Sequence, residues 1–190
     1  KAPGTFHHSL QVANLSEAAA SAINANPLLV RVGALYHDIG KMVKPEYFVE
    51  NQSSGTNEHD KLKPQMSAMV IKSHVSEGVK MAREYGLPNS LVAFIETHHG
   101  TSIIKYFYEK AKGEDNEKDA PNEETFRYEG PLPSTKETGI LLLADGIEAA
   151  SRAMKNPTYS KLENLVNRMV DERVAEGQLS TCPLTFRDLQ

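Results

Sequence analysis

Five histidines and two aspartates in this chain carry the atoms that bind divalent metal ions: His8, His37, Asp38, His74, His98, His99 and Asp145. An imidazole offers one neutral nitrogen, and a carboxylate offers two anionic oxygens. The two ligand types stand side by side in Tyr36-His37-Asp38-Ile39-Gly40-Lys41, at the end of the largely apolar run from Val30 to Leu35. With two oxygens, Asp38 could bridge two ions while His37 binds one. Gly40 is expected to let the chain turn away, and Lys41 leaves a cation beside the site. A His-Asp pair alone is weak evidence, because such pairs commonly sit on a solvated surface or at a helix cap.

Coincidence gives the pair its meaning. A histidine on an apolar helix face is usually a hydrogen-bonded core residue. Here His8, His37, His74 and His98 all fall on, or at the end of, such faces, where each would otherwise be an isolated polar group needing a partner. Asp145 follows Leu141-Leu142-Leu143-Ala144 in a helix that should be buried there, and a buried unpaired carboxylate needs a cation or a metal. Five imidazoles and two carboxylates pointing inward from a bundle make a two-metal site. Such a site polarises a phosphodiester and activates water without a side-chain nucleophile. No Walker loop, HExxH or GxSxG pattern offers another chemistry. Imidazole-rich ligands with two carboxylates suit two Fe or Mn ions and do not suit Ca or a Cys-type zinc site.

The elements that must position these residues read as helices. Residues 6–25 suit a helix with Thr5 as N-cap, and Pro27 opens a second that runs to about Ile39. Residues 41–63 are loop-like. Further helices are expected over about 64–85, 88–99, 101–112, 135–154 and 158–176, with Ser134-Thr135-Lys136-Glu137 as a capping box and a short helix after Thr185. A long charged, proline-bearing loop covers about 113–133. No period-2 strand pattern is present, so the chain is expected to be all-α, a single domain over 1–190.

The totals narrow the function. At 190 residues with 39% hydrophobic and 24% charged side chains, the composition is that of a globular domain. A net charge of -4 does not attract a nucleic-acid polymer or anionic lipid. The single cysteine, Cys182, excludes an internal disulfide and any Cys-based cluster. No apolar run approaches the roughly 20 residues of a membrane span. The opening Lys1-Ala2-Pro3, without Met, suggests a piece of a longer protein, which leaves membrane segments outside this stretch open.

The order His8, His37-Asp38, His74, His98-His99, Asp145 resembles that of the two-metal HD-domain phosphohydrolases. Gly4-Thr5-Phe6-His7-His8-Ser9, Val30 to Lys41, Glu50-Asn51-Gln52, His59-Asp60-Lys61-Leu62, Ile71 to Val75, His98 to Thr101, Phe126 to Pro131 and Leu143 to Arg152 are together similar to the cytoplasmic HD domain of the seven-transmembrane-receptor HD proteins, the PgpH type. The resemblance covers the whole chain, loops included. Glu129 stands where a proline is expected.

This likeness implies an HD-domain helical bundle around a binuclear metal site. It implies hydrolysis of cyclic di-AMP to linear pApA by a metal-dependent phosphodiesterase tethered under the membrane, at the cytoplasmic side. One ion would be held by His8, His37, Asp38 and Asp145, and the other by His74, His98 and His99, with Asp38 shared. Asp38 and Lys41 would act in catalysis, and Lys41 and Arg152 would contact substrate phosphate. No membrane contact is expected from this stretch itself, and a homodimer is compatible with it.

Rival readings are a cyclic di-GMP phosphodiesterase, another nucleotide phosphohydrolase of the superfamily, or a non-catalytic module that binds a cyclic dinucleotide. The cyclic di-GMP branch expects Gly-Tyr-Pro after the paired histidines, where this chain has Gly100-Thr101-Ser102-Ile103. A binding module would have a degenerate ligand set, and this one is complete. His7 is expected at the surface, His59 in a structural hydrogen bond, and Tyr106 and Tyr108 in the helix core.

Overall fold

The computed structural model describes residues 1–52, 57–114 and 121–190. Within them the chain is all-α, and an isolated antiparallel bridge between Ile103 and Arg127 is the one β-type pairing among the described residues. The helices are α1 (Pro3–Ala22), α2 (Pro27–Tyr36), α3 (Pro64–Glu84), α4 (Asn89–Thr97), α5 (Lys105–Glu114), α6 (Lys136–Arg152) and α7 (Tyr159–Ala175). Short 3₁₀ turns fill the loop between α2 and α3, beginning with Ile39–Met42. The run 114–119, read as solvated loop, lies mostly outside the described residues.

One hydrophobic core joins α1, α2, α4 and α6 through Val12, Ala13, Val30, Ala34, Phe94, Leu141 and Ala144. Ala13, Ala20 and Ala34 are small residues among the buried positions of α1 and α2. The helices that carry or lead into His8, His37, His98 and Asp145 are thus fixed by packing rather than by local propensity.

Several boundaries differ from the sequence reading, each for a physical reason. Thr5 is not an N-cap, because α1 begins earlier, with Pro3 in its first turn and Ala2 before it. A distant residue does the capping: the Thr5 backbone N–H donates to Asn51 Oδ1 at 3.0 Å. The Thr5 hydroxyl instead donates to Glu50 Oε1 at 3.2 Å. At α6 the cap is Thr135, reciprocated by Thr138, whereas Glu137 reaches across to accept from the Asn26 N–H at 2.9 Å. Helix α5 starts at Lys105, later than expected, because residues 99–103 form a turn and the bridge to Arg127. Only a turn follows Thr185. Tyr106 is exposed rather than core.

Gly40 also has a different task from the one expected. Its φ is not among the positive values in the chain, so no left-handed turn requires glycine there. Instead α3 passes so closely that a Cβ on Gly40 would lie 1.8 Å from the His74 carbonyl oxygen and 2.6 Å from the Gly78 nitrogen. This contact sets the spacing between His37-Asp38 and His74. Gly40→Ala should therefore lower the thermal midpoint by the equivalent of about 1–3 kcal/mol, as for other overpacked sites. Thermal unfolding followed by circular dichroism would measure it, and an unchanged midpoint would contradict this packing.

Candidate metal centre

Five helices deliver the seven candidate ligands to one place. His8 comes from the first half of α1. His37 and Asp38 lie just past α2, His74 lies mid-way along α3, His98 and His99 come directly after α4, and Asp145 lies in α6. All but His99 are buried, with His37 at 0% and Asp38 at 1% relative exposure.

A single local device aims three of the imidazoles. His37 Nδ1–H donates to the Ala34 carbonyl at 2.6 Å, His74 Nδ1–H to Ile71 at 2.6 Å, and His98 Nδ1–H to Ile95 at 2.8 Å. In each case the acceptor lies three residues earlier, on the same helical turn. This bond leaves the proton on Nδ1 and presents the Nε2 lone pair to the centre. His8 is aimed differently: its Nδ1 lies 2.5 Å from Glu148 Oε2. Glu148 stands one helical turn beyond Asp145, so α6 supplies both a candidate ligand and the carboxylate that orients another.

Asp38 lies between two groups of these nitrogens. Its Oδ2 is 3.5 Å from His8 Nε2 and 3.3 Å from His37 Nε2. Its Oδ1 faces the other way, 3.4 Å from His74 Nε2 and 3.6 Å from His98 Nε2. Asp145 Oδ1 closes the first group, 3.0 Å from His8 Nε2 and 3.6 Å from His37 Nε2. Its other oxygen is 3.6 Å from His99 Nδ1.

These atoms fit a cation. His37 Nε2 and Asp38 Oδ1 are buried without a hydrogen-bond partner, and Asp38 Oδ2 has only the Lys41 ammonium, at 2.7 Å. His74 Nε2 and His98 Nε2 approach to 3.1 Å, yet both rings have given their Nδ1 protons to backbone carbonyls, so two lone pairs face each other. Acceptors packed against acceptors are costly unless positive charge lies among them. Among the described residues, three ligand groups meet the spacing for an ion: His8, His37 and Asp38; His74, His98 and His99; and His37, His98 and Asp145.

The electrostatics divide the centre. Burial disfavours an imidazolium at His37, but the Asp38 and Asp145 carboxylates outweigh it and push the pKa up to about 10. His8 moves the same way: burial is outweighed by its contact with Asp145 and the charges of Asp145 and Asp38. On the other side burial dominates and the rings stay neutral. His98 is pushed down to about 3, helped by the neighbouring His37 and His74, while His74 and His99 are also lowered. Both aspartates are held well below the usual carboxylate range. Burial opposes this, but Lys41 and His37 prevail at Asp38, as His37 and His8 do at Asp145.

The remaining sequence candidates fall into place around this centre. Lys41 is not a free cation: Nζ is 2.7 Å from Asp38 Oδ2 and 3.0 Å from Glu50 Oε1. Arg152 lies at the rim, its side chain 40% exposed and Nη2 3.7 Å from Glu148 Oε2. His7 is exposed. His59 is buried outside the cluster, where its Nε2–H donates to the Tyr47 carbonyl at 2.9 Å. Sequence reasoning matched Glu50 only as part of Glu50-Asn51-Gln52 and gave it no role, and it missed Glu148, whose helical spacing from Asp145 was the only signal available. It also missed Tyr128, stacked on His99 at 4.1 Å between ring centres. A cleft of about 480 Å³ opens beside His99 and Tyr128, with Lys72 and Arg83 of α3 in its wall.

The fold and centre together define a class: the chain belongs to the HD domain family, whose model matches residues 5–150. Within it, the chain is 51% identical over 187 residues to the cyclic-di-AMP phosphodiesterase PgpH of Bacillus subtilis, covering 98% of this chain and 26% of that protein. It is 45% identical over 190 residues to the cyclic-di-AMP phosphodiesterase PgpH of Listeria monocytogenes, again covering 26% of the relative. The chain thus spans about a quarter of the length of these curated relatives. Among solved structures, the L. monocytogenes phosphodiesterase PgpH HD domain in complex with cyclic-di-AMP superposes with a TM-score of 0.95 at 44% identity. That match covers all of this chain and 87% of that one.

Glu148→Ala should weaken binding of the ion that His8 helps to hold by about 10–100-fold, the usual effect of removing a carboxylate behind a histidine ligand. Glu148→Gln, which can still accept from Nδ1–H, should lose less. Competition titration with a metal-sensitive dye measures both, and equal affinity of the alanine variant and the parent would contradict this role.

Proposed function

We propose that this chain is a metal-dependent phosphodiesterase that hydrolyses cyclic di-AMP to linear pApA. The observation that carries the reading is the placement of Asp38, one oxygen towards each of two histidine groups. We also propose the ligand division: His8, His37, Asp38 and Asp145 for one ion, and His74, His98, His99 and Asp38 for the other. When bound, two divalent ions would supply Lewis acidity towards the phosphate oxygens and lower the pKa of a water. Fe or Mn suits so many imidazoles combined with carboxylates.

The chain's own residues do the rest. The backbone-anchored imidazoles hold their lone pairs in place, so little reorganisation accompanies the reaction. Lys41 carries three N–H donors and uses two on Asp38 and Glu50. The third is available to a phosphate oxygen beside the centre. Arg152, pinned on one side by Glu148, offers its outer guanidinium edge to a second phosphate. Lys72 and Arg83 add positive charge along the cleft that reaches His99.

The adenine preference rests on the relatives. Two curated proteins at 51% and 45% identity are named for cyclic-di-AMP, and the solved relative holds that ligand. Placement on the cytoplasmic side of a membrane is part of the same proposal, as is tethering by segments outside this stretch. No helix among the described residues is long and apolar enough to cross one.

Turnover with added Mn tests the reading. Cyclic di-AMP should be converted to pApA faster than cyclic di-GMP is hydrolysed, and Asp38→Ala should show nothing above background. Equal turnover by that variant would refute the mechanism, and a preference for cyclic di-GMP would refute the substrate.

A further inference from the structure

Residues 151–190 lie beyond the stretch matched by the family model, yet they reach the scaffold of the metal centre. The link is the turn that carries the paired histidines. His98 keeps right-handed helical dihedrals, φ −62 and ψ −18, just past α4, and Gly100, at φ +50, turns the chain out of the helix directly after the pair. Two bonds close the turn from within: Gly100 N–H to Thr97 O at 2.9 Å, and Ser102 N–H to His99 O at 3.0 Å.

The other polar groups of the turn are served from outside. The Thr101 N–H donates to Gln178 Oε1 at 2.9 Å, and Gln178 Nε2 donates back to Thr101 Oγ1 at 3.0 Å. Arg173 Nη1 donates to Ser102 Oγ at 3.1 Å, and Arg127 Nη1 to the Thr101 carbonyl at 3.1 Å. Gln178 is 1% exposed, so its amide has no water to fall back on.

The end of α7 is shaped to deliver that amide. Gln178 N–H donates to Arg173 O at 3.0 Å and Gly177 N–H to Val174 O at 3.0 Å, the paired bonds of a Schellman ending. Gly177, at φ +70, turns the chain sharply so that Gln178 enters the interior while Arg173 stays beside Ser102. The same turn also sets Tyr128, whose N–H donates to Ser102 O at 3.0 Å while its ring stacks on His99.

We propose that α7 and its C-terminal turn position the paired histidines, with Gln178 holding the Thr97–Ser102 turn in the shape that lets His98 and His99 bind an ion together. Gln178 touches no ligand atom and acts through Thr101, so it is a positioning residue. The inference rests on the two-ion reading above, and its test separates the two.

Mn titration of the unmodified chain comes first, followed by electron paramagnetic resonance. Two ions with a coupled-pair signal are expected, and failure here would sink the metal reading itself. Gln178→Met keeps the side-chain volume and removes both amide contacts. It should retain one tight ion, bind the second at least about tenfold more weakly, and show the signal of an isolated ion. Thr101→Ser, which keeps the N–H and the hydroxyl, should behave as the parent. Two ions at parental affinity in Gln178→Met, or loss of the second ion in Thr101→Ser, would overturn the proposal. If circular dichroism shows Gln178→Met unfolded, Arg173→Met removes the outer half of the clamp. It should weaken the second ion in the same direction, and parental affinity there would equally overturn the idea.

Discussion

The structure depends on one buried carboxylate that has no hydrogen-bond donor of its own except a lysine. Asp38 sits at 1% exposure between imidazole nitrogens that mostly present lone pairs. Leaving an anion there uncompensated would cost several kcal/mol. Everything around it limits that cost or prepares for a cation. Lys41 folds back from one turn later, Glu50 holds Lys41 in place, and Thr5 and Asn51 tie the Glu50 segment to the start of α1. Gly40 lets α3 come close enough to bring His74 to the opposite oxygen. The packing of five helices and the charge balance of one residue are therefore the same problem.

Charge is distributed unevenly across this carboxylate, and the asymmetry bears on function. The side with His8, His37 and Asp145 carries both the second aspartate and the imidazoles that favour a positive charge. The side with His74, His98 and His99 is built from neutral rings, two of them held by backbone carbonyls. The first group faces two carboxylate oxygens, Asp38 Oδ2 and Asp145 Oδ1, while Asp38 Oδ1 and, beside His99, Asp145 Oδ2 face the second. The more open histidine, His99, faces the cleft with Tyr128, so the cleft reaches that half of the centre.

Much of this was legible in the sequence, because polar residues on apolar helix faces stand out. His8, His37, His74, His98 and Asp145 each interrupted a run that should be buried, and the structure brings them together with Asp38 and His99. The family resemblance read from the motifs agrees with the matched family and relatives, and the all-α class holds. What stayed hidden depends on tertiary proximity. Glu148 became a partner of His8 only when α1 packed against α6. The role of Gly40 is invisible without α3, and a glycine near a turn invites the simpler explanation of backbone freedom. Thr5 has the residue type of an N-cap, but Asn51 caps from 46 residues away. Lys41 read as a cation beside the site, and its pairing with Glu50 required knowing where that segment folds. Gln178 falls just past the last long helix the sequence predicts, and no sequence pattern gives it a role.

The central claim is that Asp38 is shared between two ions held by opposite histidine groups. Anomalous diffraction from crystals loaded with Mn, collected at its absorption edge, tests it most directly. Two anomalous peaks are expected, one on each side of Asp38, with His8, His37 and Asp145 around the first and His74, His98 and His99 around the second. A single peak, or two peaks of which only one is bound by Asp38, would contradict the account.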